Sequence, residues 1–113
     1  MKIDDYAQKA LSTLMGTHEY GDITPQLMAQ VLGLAGESGE VMEKLKKLMR
    51  DQQGRLSDEA KMELLKELGD ILWYINAVAY LLGSSLEEVA RLNNDKLASR
   101  RQRQQLHGSG DNR

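Results

Sequence analysis

The sequence predicts an all-α fold, a four-helix bundle-like arrangement whose central helices form the core of an oligomer. Three observations predict it. No segment sustains the two-residue alternation of a half-buried strand. β-branched residues are sparse. Four stretches with apolar residues at helical spacing are bracketed by start and stop signals.

The first helix is expected over residues 3–19, where Ile3, Ala7, Ala10, Leu11, Leu14 and Met15 follow amphipathic spacing. Residues 18–22 break the pattern, with Gly21 in a turn. Thr24-Pro25 then supplies a hydroxyl cap and a proline at the first helical position, where a missing N–H costs nothing. The second helix is expected over 25–50 and ends in Lys44, Lys46, Lys47 and Arg50, cations suited to the negative end of the dipole. After a loop at 51–55, Ser57 with Asp58 and Glu59 opens the third helix. Its apolar seam reads Leu65, Leu68, Leu72, Ile75, Ala79 and Leu82, and Gly83 stops it. Ser85-Leu86-Glu87-Glu88 has the form of a capping box for the fourth helix. From Ile71 to Leu82 the third helix is apolar around most of its circumference, since Trp73, Tyr74, Val78, Tyr80 and Leu81 lie off that seam. A helix apolar on all sides is expected to be covered on all sides, here by a second copy of the chain.

At 113 residues and 12.7 kDa, with 41% apolar and 28% charged residues, the chain fits one globular domain. We expect a single all-α domain over residues 1–106 and a flexible or lid-like tail over 107–113. The lack of cysteine excludes disulfide frameworks, thiol nucleophiles and thiolate metal sites. Aromatics at 4% are too few for a base-stacking platform, and a net charge of −2 offers no broad cationic field, so no nucleic-acid partner is expected. The longest apolar stretch, 71–82, is shorter than the about 20 residues that span a bilayer. No membrane partner is expected, the N-terminus lacks a basic-then-apolar signal pattern, and a cytoplasmic protein follows.

Two acidic pairs stand out, Glu37-Ser-Gly-Glu40 and Glu67-Leu-Gly-Asp70. An i, i+3 spacing leaves two side chains about 60° apart on one helical face, and like charges there destabilise the helix slightly. In an antiparallel hairpin turning near residue 54 the two pairs come level, so four carboxylates converge. Hard oxygen ligands without Cys or His suit Mg²⁺ or Mn²⁺. Two such ions could hold a phosphate, activate water and stabilise a leaving oxygen. Acids on helices are more commonly solvated and paired with Lys at i+4, which Glu40/Lys44 and Glu43/Lys47 fit. Asp70 fits that pattern less well, because it opens the apolar stretch and is expected to be carried inward. A di-iron bundle would need Glu-x-x-His, and neither His18 nor His107 lies three residues after a Glu.

Gly33-Leu-Ala-Gly-Glu37-Ser-Gly-Glu40-Val41, Lys66-Glu67-Leu-Gly-Asp70-Ile-Leu-Trp-Tyr74, Ser85-Leu-Glu-Glu-Val89 and Asn93-x-x-Lys96-Leu-x-x-Arg100 together resemble the MazG-like nucleotide pyrophosphohydrolases. The resemblance covers about residues 25–113, including a closing Gly108-Ser-Gly-Asp-Asn-Arg113 like the tail of one subgroup. It implies a MazG-type all-α fold, a homodimer or homotetramer, and Mg²⁺-dependent hydrolysis of nucleoside triphosphates to a monophosphate and pyrophosphate. It makes Glu37, Glu40, Glu67 and Asp70 metal ligands and places sugar and phosphate contacts on Asn93, Lys96 and Arg100. Tyr74 looks like the family's aromatic near the nucleotide. Gly36 stands where many members carry a further Glu. Glu40 and Glu67 are the candidates for catalytic roles, Glu40 by orienting the attacking water. Two rivals remain at this point: a non-catalytic helical interaction module with an acidic docking face, and a related dUTP- or dCTP-type pyrophosphatase.

The charge split agrees with a metal–triphosphate ligand: residues 91–113 carry +4 and the other 90 carry −6. Gly33-x-x-Gly36-x-x-Gly39 lacks the Gly-Lys-Ser/Thr ending and the preceding strand of a phosphate loop. Its glycines are expected inside the helix, allowing close approach of another helix. Trp73 is expected in the core and His18 on the surface near a helix end.

Overall fold

Thr24 and Pro25 begin the longest helix of the chain: the Thr24 hydroxyl accepts the Leu27 N–H at 3.0 Å, and proline fills the first turn. The computed structural model describes residues 1–14, 16, 20–104 and 107–112. His18 and the 106/107 boundary expected between domain and tail therefore lie outside the described residues. Four helices follow in order, α1 (Ile3–Leu11), α2 (Pro25–Asp51), α3 (Asp58–Leu81) and α4 (Leu86–Gln102). There is no strand among the described residues, and the fold is all-α. No described helix is long and apolar enough to cross a membrane.

α1 stops well short of residue 19. The Ser12 and Thr13 hydroxyls turn back onto the carbonyls of Lys9 and Ala10, at 2.6 and 2.7 Å, and the backbone tightens to three-residue hydrogen bonds up to Leu14. Side-chain hydroxyls competing for helix carbonyls end the segment that apolar spacing alone would extend. The later boundaries fall where the caps place them. Ser57 accepts from Ala60 N–H and Ser85 from Glu88 N–H, each at 3.1 Å. The capping box at Ser85 is only half formed, because the Glu88 carboxylate is taken by the Arg91 guanidinium at 2.6 and 2.9 Å. Gly83, at φ +77°, closes α3 with Ser84 N–H on the Ala79 carbonyl at 2.9 Å, a left-handed cap that favours glycine.

α2 and α3 form the antiparallel hairpin, with Gly33 level with Tyr74 and Lys44 level with Glu63 and Glu67. The facing stripe on α2 is Leu27, Gln30, Leu34, Glu37, Val41, Lys44 and Leu48; on α3 it is Ala60, Leu64, Glu67, Ile71, Tyr74, Val78 and Leu81, all half-buried or buried. This corrects the expected seam. Leu65, Leu68 and Leu72 stay exposed, as does Leu82, whereas Ile75 and Ala79 are covered. The stripe that pairs the helices within the chain is one residue earlier in α3, a rotation of about 100°. Trp73 is 60% exposed in the single chain rather than in a core. α4 touches α3 over a short stretch, and α1 packs on no other helix among the described residues.

Candidate metal centre

Glu37 and Glu67 occupy the seam between α2 and α3, where most neighbours are apolar. The antiparallel register brings them together with Asp70: one carboxylate oxygen from each lies within 4.8 Å of the others. That limit is a little more than twice the about 2.0–2.1 Å reach of a Mg²⁺–oxygen bond, so a small inward turn of the side chains would close the set on an ion. Three of the four expected acids are thus gathered. Glu40 stands outside the set, exposed one turn along α2, because a step of three residues rotates it about 60° away from α3. The acid carried inward is Glu67 rather than Asp70. The Glu67 side chain is 15% exposed, while Asp70 lies on the open side.

The electrostatics follow from this crowding. Loss of hydration pushes the Glu37 carboxyl above the ordinary glutamate range, and the charges of Asp70 and Glu67, a hydrogen bond with Glu67 and the charge of Glu40 add to the rise. One cation offsets them. Lys44 Nζ lies 2.9 Å from Glu67 Oε1 and 3.4 Å from Glu63 Oε2. Its hydrogen bond to Glu67 holds the ammonium above the ordinary lysine range, against the effect of burial. Lys44 therefore reaches across the hairpin and not back to Glu40. Glu43 pairs within α2, with Lys46 at 3.0 Å and Lys47 at 3.9 Å. An all-carboxylate set with more negative charge than its single lysine balances fits a hard divalent cation.

Beside the acids an open groove of about 390 Å³ is lined by Glu37, Asp70, Trp73 and Tyr74. The two aromatic rings meet edge to face, centroids 5.0 Å apart at 83°. The Tyr74 ring lies close against the backbone at Gly33: a Cβ there would come 2.8 Å from its Cδ1 and nearer still to Cζ. Gly33 thus permits a close approach, as expected for this glycine run. Gly36 and Gly39 do not, since nothing lies within 4 Å of a Cβ at either.

The MazG nucleotide pyrophosphohydrolase domain family matches residues 18–104, a span that contains both acidic pairs, the groove aromatics and all of α4. The chain belongs to this family. A relative, the Gene 37 protein of Mycobacterium phage L5, is 44% identical over 82 residues, 73% of this chain and 72% of that protein. No solved structure matches.

The basic residues of this MazG domain form a second group. Asn93, exposed on α4, Lys96 and Arg100 do not line the groove. Lys96 Nζ lies 3.0 Å from Asp111 Oδ1. Arg100 is 4% exposed, and its Nη2 donates to the carbonyl oxygens of Asp111 at 2.6 Å and Gly110 at 3.3 Å. The Lys96 hydrogen bond and charge, with Arg100 behind them, hold the Asp111 carboxyl below the ordinary range. Residues 107–112, beyond the span matched by the family, thus fold back on α4, and the expected phosphate-binding cations are held there by the chain itself.

Sequence reasoning missed Lys44 and Asp111. The level argument that paired the acids also sets Lys44 opposite residues 63–67, so its signal was present. Asp111 had none, since the return of the tail is not periodic.

Proposed function

We propose that this MazG domain hydrolyses nucleoside triphosphates to a nucleoside monophosphate and pyrophosphate with Mg²⁺, Mn²⁺ serving in its place. The observation that carries the reading is the meeting of Glu37, Glu67 and Asp70 from two helices within 4.8 Å. These three hold the ion, and Glu40 at the rim orients the attacking water. When bound, Mg²⁺ supplies positive charge against the phosphate oxygens and makes water a better nucleophile at neutral pH. Tyr74 and Trp73 offer apolar faces beside the acids for the nucleoside. Lys96 and Arg100, with Asn93, contact phosphates and sugar once Asp111 yields its place. Positioning and charge carry such a reaction, so the absence of a cysteine nucleophile is no obstacle.

The working form is a homodimer or homotetramer in the cytoplasm. Its support is a second apolar stripe on each helix of the hairpin, one residue beyond the facing stripe: Met28, Val31, Met42, Leu45 and Met49 on α2, Leu65, Leu68 and Leu72 on α3, all exposed. In antiparallel helices a step of one residue turns both stripes to the same side of the pair, about 100° from the seam. Glu40 and Asp70, turned about 60° the other way, leave the groove open when that side is covered.

Glu67→Gln tests the reading against the docking-face rival. An enzyme loses at least 100-fold of its Mg²⁺-dependent pyrophosphate release across a panel of nucleoside triphosphates, with helicity unchanged. A wild-type protein that releases no pyrophosphate from any of them, with Mg²⁺ or Mn²⁺, refutes it.

A further inference from the structure

Lys44 is the one lysine in the facing stripe of the hairpin, and its ammonium sits where the acidic set ends. It is 2.9 Å from Glu67, and its side chain is one-third exposed. A charge at that depth needs a partner. Glu67 is one, but Glu67 is also a member of the three-acid set, so a single carboxylate serves two cations. The second partner resolves the conflict. Glu63, one turn earlier on α3, lies 3.4 Å from the same ammonium and is half exposed. Lys44 and Glu63 also line an open hollow of about 310 Å³ with Leu48, Ala60 and Leu64, which gives the lysine room to move away from the acids.

We propose that Lys44 is a tethered competitor for the divalent cation, holding Glu67 when the site is empty and passing to Glu63 when Glu67 turns to a metal ion. The inference rests on the metal reading above and adds a residue that sets the affinity of the site. Lys44 need not touch nucleotide to do this. A fixed positive charge a few ångströms from the ion lowers cation affinity, and the presence of Glu63 limits how much.

Mn²⁺ titration of the full chain, without nucleotide, by calorimetry and by the electron paramagnetic resonance of free Mn²⁺, tests it independently of turnover. Lys44→Met raises Mn²⁺ affinity about tenfold, as expected for removing one charge near a divalent ion. Lys44→Gln changes it in the same direction. Glu63→Gln weakens Mn²⁺ binding several-fold in the wild-type background, because the ammonium is then left with Glu67 alone. In the Lys44→Met background the same change has a much smaller effect. An affinity that is unchanged or lowered in Lys44→Met makes the lysine an anchor for Glu67 and overturns the proposal, as does an equal cost of Glu63→Gln in both backgrounds. Uptake by neither wild type nor variants overturns the metal reading and this inference with it, whereas wild-type uptake with the wrong sign in Lys44→Met overturns the inference alone.

Discussion

Glu67 is the residue on which the site turns. It sits in a stripe whose other members on α3 are Ala60, Leu64, Ile71, Tyr74, Val78 and Leu81, so a carboxylate replaces a core side chain at the middle of the hairpin. Such a substitution is costly without a cation, and Lys44 supplies one. The acids were legible in the sequence because like charges at i, i+3 work against the helix. Which of them points inward was not, because that depends on the rotation of α3 about its axis. Gly33 is the other residue with a fixed requirement. Gly33→Ala adds about 1 kcal/mol of helix propensity but forces a methyl into the Tyr74 ring, an overpacking cost of about 1–3 kcal/mol. We expect a net fall in thermal midpoint of a few degrees and a changed near-ultraviolet circular dichroism of the Trp73–Tyr74 pair. An unchanged aromatic signal with a raised midpoint contradicts the close approach.

At the scale of elements, the caps were readable and the packing faces were not. Thr24, Ser57, Ser85 and Gly83 encode their turns locally, so both ends of α2 and α3 and the start of α4 fall within a residue or two of expectation. The face of α3 was misassigned for a physical reason. Two heptad stripes lie one residue apart, and the outer stripe is the more apolar because the inner one carries Glu67. Apolar spacing alone therefore selects the exposed stripe, the surface proposed above to meet a second copy. The return of residues 107–112 onto α4 is the element-scale feature with a pH dependence. Lys96 and Arg100 depress the Asp111 carboxyl, so docking is fully stabilised above its unfolded value near 3.8 and is lost as pH falls through the lower folded value. Amide resonances of Gly110 and Asn112 should move toward unfolded positions below about pH 4, with the change centred at lower pH than the titration of an aspartate that lacks those cations. In Asp111→Asn they sit near the unfolded positions at neutral pH; persistence of the docked shifts there contradicts the role given to the carboxylate.

The whole molecule exposes more than one chain of its size should. Its accessible surface is 9720 Å², against about 6,200 Å² for a compact folded protein of this mass. Its radius of gyration is 20.1 Å where about 13 Å is expected. Leu27 and Ala79 are the buried apolar residues among those described. In the proposed assembly a second copy seated on the Met28–Met49 and Leu65–Leu72 stripes would supply the missing core, so light scattering should find a dimer or tetramer. Leu68→Glu should dissociate it with loss of cooperative unfolding, and a wild-type monomer that unfolds cooperatively contradicts the assembly.

The central claim is hydrolysis at the α-phosphorus, and oxygen tracing reads it directly. When a nucleoside triphosphate is turned over with Mg²⁺ in ¹⁸O-water, mass spectrometry should find the label in the nucleoside monophosphate and none in the pyrophosphate. Label in pyrophosphate, or orthophosphate as the first product, contradicts it.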